Sequence, residues 1–223
     1  MMVYFKQSKN QIEPKKLTAK FTFGKKGKEF EEFNRPVDVA VKDNFLFVAD
    51  SGNSRIQVLK INPDGSLSPV LSFGKEGKEL GEFNGFSGLD ISIKDNLLFV
   101  ADSGNSRIQV LKINPDGSLS PVLSFGKEGK ELGEFGRAPA PLGYAAPLGL
   151  CIKDNLLFVA DSGNSRIQVL KINPDGSLSP VLSFGKEGKG LGEFGIPLGL
   201  CIKDNLLFVA DSGNSRIQVL KIN

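Results

Sequence analysis

The sequence predicts an all-β fold, a β-propeller of near-identical four-stranded blades with four repeats in the chain. Two observations carry that prediction. The 43 residues from Ile93 to Phe135 recur at Ile152 to Phe194 with one change, Glu131 to Gly190. The same text runs from Val41 to Phe83 with two changes, Val41 for Ile93 and Phe45 for Leu97, and starts a fourth time at Ile202. A chain of near-identical units buries each unit's apolar face against its neighbour. Within one unit, four short apolar runs alternate with strong turn signals, and none of the runs is long enough for a typical helix.

In the second copy the runs are Leu89 to Ile93, Leu97 to Ala101, Ile108 to Ile113 and Pro121 to Phe125. Asp95-Asn96 joins the first two as a hairpin turn would. Asp102-Ser103-Gly104-Asn105-Ser106 separates the second from the third. Asn114-Pro115-Asp116-Gly117 separates the third from the fourth, with proline fixing φ and glycine accepting positive φ. The Leu97-Leu98-Phe99-Val100 run is apolar on both strand faces, so both faces need cover. Covering a four-stranded antiparallel unit on both faces with copies of itself gives a propeller. Asp50, Asp102, Asp161 and Asp211 follow one another at 52, 59 and 50 residues, close to one blade per step.

Antiparallel order places the turn between second and third strands at the same end as the loop leading to the next blade. The Asp-Ser-Gly-Asn-Ser-Arg turns and the Phe-Gly-Lys-Glu-Gly-Lys loops should therefore share one face. The chain reads as a single domain, 1–223, with units at roughly 36–83, 88–135, 147–194 and 197–223 after N-terminal strands in 3–23. Residues 3–7 and 20–23 look like degenerate third and fourth strands. The fourth unit supplies first, second and third strands, so residues 20–23 are expected to close the ring as its outer strand. One third-type strand is then surplus, either as an added edge or paired with another chain.

An apolar fraction of 40% and a charged fraction of 24% are those of an ordinary globular domain. Net charge is +3, so no strong field demands nucleic acid or an anionic membrane. Without a signal-like or membrane-spanning segment, the default location is cytoplasmic. There is no histidine, which removes the commonest zinc ligand and the usual general base. The two cysteines, Cys151 and Cys201, occupy the repeat position also held by Ala40 and Ser92, which reads as a small buried slot in a strand.

The segment GEFNGFSGLDISIKDNLLFVADSGNSRIQVLKIN resembles the NHL repeat, whose pattern is Gly-x-Phe, then Pro-x-Gly before the inner strand, then V-A-D-x-x-N-x-R-I-Q-V. The likeness runs through all four copies from Phe21 onward. Gly88 stands where the other copies have Pro36, Pro147 and Pro197. Ser54, Ser106, Ser165 and Ser215 stand where the family commonly has histidine. NHL propellers usually have six blades, and four units are present here. The resemblance implies a non-catalytic binding or scaffold propeller that recognises a protein or peptide, with RNA binding as the family's other mode.

The candidate contact residues lie on the shared loop face. Arg55, Arg107, Arg166 and Arg216 either reach back to the Asp of their own turn or offer a ring of guanidinium groups to a phosphate or carboxylate. The copies diverge in one window between the shared Glu-Phe and the next Lys-Asp-Asn. Its third version places Arg137 and Tyr144 in a Pro-rich loop, and exposed Arg and Tyr are good contact residues. Asp38 and Asp90 are the only acids proposed near the axis, where two carboxylates suit a hard cation or a water-filled channel. No cofactor or catalytic residue is implied. RNA binding is disfavoured by the modest charge, the absence of Trp and two tyrosines. Identity extending to exposed Lys and Glu also fits a recently amplified or engineered array with no evolved ligand. Identical adjacent repeats favour strand exchange and self-association.

Overall fold

Each run becomes a strand because a turn of matching chemistry stops it. In the computed structural model, which describes residues 17–137 and 147–223, a two-residue parallel ladder of β1 (Lys25–Lys26) and β2 (Glu32–Phe33) precedes the first blade. That blade consists of β3 (Pro36–Lys42), β4 (Phe45–Asp50), β5 (Arg55–Ile61) and β6 (Leu67–Phe73). The second is β7 (Leu89–Lys94), β8 (Leu97–Asp102), β9 (Arg107–Ile113) and β10 (Leu119–Phe125). The third is β11 (Leu150–Lys153), β12 (Leu156–Asp161), β13 (Arg166–Ile172) and β14 (Leu178–Phe184). The fourth has β15 (Pro197–Lys203), β16 (Leu206–Asp211) and β17 (Arg216–Lys221). Every blade is antiparallel in chain order.

The first hairpin of each blade turns on two residues, with Asp43, Asp95, Asp154 and Asp204 at φ between 51° and 56°. A short polar side chain tolerates that left-handed backbone. The outer strands start two residues earlier than the apolar run predicts and contain Pro69, Pro121 and Pro180. Proline is admissible there because the outer strand is an edge, and the register shifts beside it.

Three hydrophobic cores lie between consecutive blades. Phe47, Ile56 and Val58 of the first blade meet Leu89, Ile91, Leu98 and Val100 of the second. Phe99, Ile108 and Val110 meet Leu150, Leu157 and Val159. Phe158, Ile167 and Val169 meet Leu207 and Val209. The crossover loops are anchored by Phe83, Phe135 and Phe194, each fully buried and edge-on to the phenylalanine ending the preceding outer strand. Gly74, at φ 94°, has room only for hydrogen: a Cβ there would lie 2.5 Å from the Phe83 ring.

Among the described residues, no core joins the fourth blade to the first. This corrects the expectation that residues 20–23 complete the fourth blade. They form no strand, and Lys20 Nζ donates to the Asp64 carbonyl beside the first blade. The loop after Phe23 is tied to the first blade by Asn53, Arg55 and Gln57, as each later crossover loop is tied to the blade it enters. Among the described residues the fourth blade has three strands, and Ile217 and Val219 on it, like Val37, Val39 and Val41 on the first blade, are exposed. The strand expected at 3–7 lies outside the described residues.

The buried crossover phenylalanines make one testable prediction. Replacing Phe135 by Ala should destabilise the protein by about 3–5 kcal/mol, measured by denaturant titration, because the loop loses its fully buried anchor.

Candidate binding face

The turn between second and third strands is a hydrogen-bonded knot repeated in every blade. The carboxylate of Asp102 is wholly buried. Its Oδ1 accepts the Asn84 N–H at 2.8 Å, and its Oδ2 accepts Asn105 Nδ2, Arg107 Nε and Gln109 Nε2 at 2.9, 2.7 and 3.1 Å. The remaining guanidinium donors go to backbone: Arg107 Nη1 to the Lys78 carbonyl, and Nη2 to the carbonyls of Glu79 and Glu82. Arg55, Arg166 and Arg216 repeat the pattern. Four of the five N–H groups of each guanidinium are thus used inside the protein, leaving one for any ligand. At Asp211 burial pushes the carboxyl up, but bonds from Asn214, Arg216, the Gly195 N–H and Gln218 outweigh it and hold the group below its ordinary range.

The same knot confirms that turn and crossover loop share one face, since the Arg of each turn grips the crossover loop. It also shows that the glycine-rich loop is an acceptor cradle. Its carbonyls, not its side chains, take the bonds, which is why Gly190 replaces Glu131 without loss of the contact to Arg216 Nη2.

Serines of the turn reach the next blade. Ser51 Oγ accepts the Leu89 N–H at 2.9 Å, Ser103 Oγ donates to the Pro147 carbonyl, and Ser162 Oγ donates to that of Pro197. Toward the axis, Asp38 Oδ2 accepts the Ile91 N–H at 2.8 Å and Asp90 Oδ2 accepts that of Leu150 at 2.7 Å. Both acids therefore bridge neighbouring inner strands. In the third blade the same position is Gly149, where a Cβ would lie 2.0 Å from the Leu198 carbonyl, so the strands approach directly. Burial and the neighbouring Asp38 carboxylate raise the Asp90 carboxyl to about 7. Among the described residues, no group of three or more His, Cys, Asp or Glu side chains converges.

Both cysteines are free. Burial pushes the Cys151 thiol up to about 12, and it packs toward the fourth blade. Cys201 is exposed, contrary to the buried slot read from sequence, on a blade whose Ile217 and Val219 are exposed as well.

What the face presents outward comes from the variable window. Arg35 and Arg137 are exposed. Phe86 is 75% exposed on a 3₁₀ turn, Gly85–Ser87, whose backbone is held from both sides. Asn84 Oδ1 accepts the Phe86 N–H at 3.3 Å, Ser54 Oγ accepts the Gly85 N–H at 3.2 Å, and the Asn84 carbonyl accepts the Gly104 N–H at 3.1 Å. Sequence reading located the window but singled out only Arg137 and Tyr144 in it as contact residues. The signal for Phe86 was its lack of any counterpart in the other copies. Tyr144 lies outside the described residues. On the opposite end, a cleft of about 650 Å³ between the second and third blades is lined by three lysines, Lys94, Lys112 and Lys171, against two acids, Asp95 and Asp175. Among the described residues, no helix is long and apolar enough to cross a membrane.

Blades stacked through side-chain knots, with loops of differing sequence on one face, define a β-propeller. The NHL repeat model matches at residues 33–59, 83–111, 145–170 and 194–220, one match per blade. The chain belongs to the NHL-repeat family. It is 29% identical over 201 residues to NHL repeat-containing protein 2 of Gallus gallus, a match covering 77% of this chain and 27% of that protein. The chain thus spans about a quarter of the length of that relative. A solved structure of a protein from Lactobacillus plantarum aligns with a TM-score of 0.59 at 18% identity, covering 86% of this chain and 53% of that one. A Bacteroides uniformis structure, provisionally assigned as a 6-phosphogluconolactonase, aligns with a TM-score of 0.58 at 13% identity over 85% and 57%. These likenesses to solved structures are likenesses of fold.

Two predictions rest on this geometry. Arg107→Ala leaves the Asp102 carboxylate buried and unpaired, so stability should fall by about 3–5 kcal/mol in denaturant titration; an unchanged midpoint would make the knot dispensable. For Asp90, the folded protein holds its proton between the ordinary pKa of 3.8 and about 7, whereas the unfolded chain releases it. Stability from this group therefore falls as pH rises from about 4 to about 7 and levels off above. Asp90→Asn, which keeps an oxygen for the Leu150 N–H, should flatten that decline between pH 5 and pH 8.

Proposed function

We propose that this propeller is a non-catalytic scaffold that binds a protein or peptide segment through the face carrying the variable loops. The observation that supports it most is Phe86: a large apolar ring, mostly in water, on backbone fastened to the turns of two blades. An exposed aromatic on a rigid loop loses little conformational freedom on binding, which favours affinity. Arg35 and Arg137 in the neighbouring blades' windows add positive charge, so the preferred segment carries an apolar side chain flanked by Asp or Glu. The ring of Arg55, Arg107, Arg166 and Arg216 contributes at most one free N–H each and serves mainly to hold the face in shape.

RNA binding through the same face is the second reading, supported by the exposed arginines alone. It requires affinity that falls steeply with salt as phosphate counterions are released. A lactonase-like activity is a third reading, drawn from the fold neighbour. The chain has no histidine, and Asp38 and Asp90 are engaged with backbone N–H groups between blades, so neither stands ready as a free base.

The test is a peptide display library panned against the protein, with hits measured by fluorescence polarisation. Peptides pairing an aromatic or aliphatic residue with acidic neighbours should bind. The triple variant Arg35→Ala, Phe86→Ala, Arg137→Ala should lose at least tenfold in affinity while its melting temperature stays within a few degrees. Binding that survives the triple variant, or that is found only for single-stranded RNA, overturns the peptide reading.

A further inference from the structure

The two ends of the blade array carry the two halves of the interface that the chain forms three times within itself. On the fourth blade, Ile217 and Val219 are 65% and 48% exposed. Their counterparts Ile56 and Val58, Ile108 and Val110, and Ile167 and Val169 are all buried against a following blade. On the first blade, Val37, Val39 and Val41 are at least half exposed. The corresponding Leu89 and Ile91 of the second blade are buried against the first. The trailing face of one end and the leading face of the other are therefore complementary, because near-identical residues already pack that way in the middle.

Strand pairing says the same. Among the described residues no strand pairs with the outer edge of β17, and residues 17–23, Leu-Thr-Ala-Lys-Phe-Thr-Phe, are exposed for most of their length and belong to no strand. Counted from the following glycine, they align with Leu67–Phe73, the outer strand β6, and like it they end in phenylalanine before the loop. β6 pairs on β5 with Ile56 opposite Phe73 and Ile61 opposite Leu67.

We propose that two copies of this chain complete each other. Residues 17–23 of one copy add to β17 of the other as its missing outer strand, with Phe23 opposite Ile217, Phe21 opposite Val219 and Leu17 opposite Ile222. The first blade of the incoming copy then lays Val37, Val39 and Val41 over Ile217 and Val219. This is the path the chain itself follows from β6 through the crossover loop to β7, with the strand and the next blade supplied by a partner. The contact is head-to-tail, so it closes only if the second end pair meets too. Two chains of four blades make eight, within the roughly four to eight blades of this architecture. In the single chain both faces are exposed, so neither covers the other, and the occupant that matches both is a second copy carrying the same two faces. Addition of an edge strand supplies backbone hydrogen bonds, and the buried valines and isoleucines supply the apolar area.

The experiment is light scattering on the purified chain, followed by directed cross-linking. The expected mass is twice that of one chain, unchanged on dilution across a hundredfold range. In a background of Cys151→Ala and Cys201→Ser, residue types already present at this position in the other blades, one preparation carries Phe21→Cys and another Val219→Cys. Mixed after unfolding and refolded together under oxidising conditions, they should yield a disulfide-linked pair of unlike chains. Ile217→Asp should give particles of single-chain mass that retain the β circular-dichroism signal. A single-chain mass for the parent overturns the proposal, as does a cross-link that forms only within a chain carrying both cysteines. A mass that grows with concentration overturns the closed two-copy ring in favour of open head-to-tail polymers.

Discussion

The buried carboxylate at the end of each second strand is the constraint on which the rest depends. Removed from water, Asp50, Asp102, Asp161 and Asp211 need compensation, and each gets it from the Asn, Arg and Gln that follow at fixed spacing. The arginine in turn must satisfy its own donors, and it finds them on the crossover loop's carbonyls. One burial event thus orders the turn, the loop in front of it and the entry to the inner strand. A buried pair of this kind is a poor source of net stability against an apolar alternative, but its geometry specifies a single arrangement. That is the role of such a pair in a fold whose blades are otherwise interchangeable.

The knot also separates what is free to vary from what is not. Loop side chains are released because only their backbone is held, as the Glu131 and Gly190 copies show. The window beyond the shared Glu-Phe is freer still, and there one blade carries Arg35, the next Phe86 and the third Arg137. Their backbones are anchored by Asn34, Asn84 and Gly136 to the buried Asp of each blade. The same device that stiffens the scaffold therefore holds unlike side chains in fixed places on one face.

The interface between blades has direction, since the trailing face of one blade never contacts another trailing face. Three internal copies of it leave one of each half exposed at the ends. Apolar side chains such as Val39 and Ile217 at those ends are unusual on a solvent surface only because their twins inside the array are buried. Repetition of sequence makes the end faces compatible with one another, and with any other blade of the same type.

Strand positions, turn types and the sharing of one face by turns and loops were legible in the sequence, because hydrophobic runs, Asp-Asn and Asn-Pro-Asp-Gly turns and antiparallel order act locally. The pairing of Arg with Asp was one of two readings open in the sequence, and the structure shows it in all four blades. Other features had no local signal. The outer strand's extension through proline depends on its being an edge, and the need for glycine at 149 depends on how closely the next inner strand approaches. The bridging role of Asp38 and Asp90 depends on strands 53 and 60 residues away. Closure of the ring by residues 20–23 looked right in sequence because those residues do have outer-strand character. The tertiary structure decided otherwise: those residues form no strand, and Ile217 and Val219 of the fourth blade stay exposed. Sequence by itself determined what a blade is; only the packing of blades decided that Asp38 and Asp90 bridge inner strands and that position 149 must be glycine.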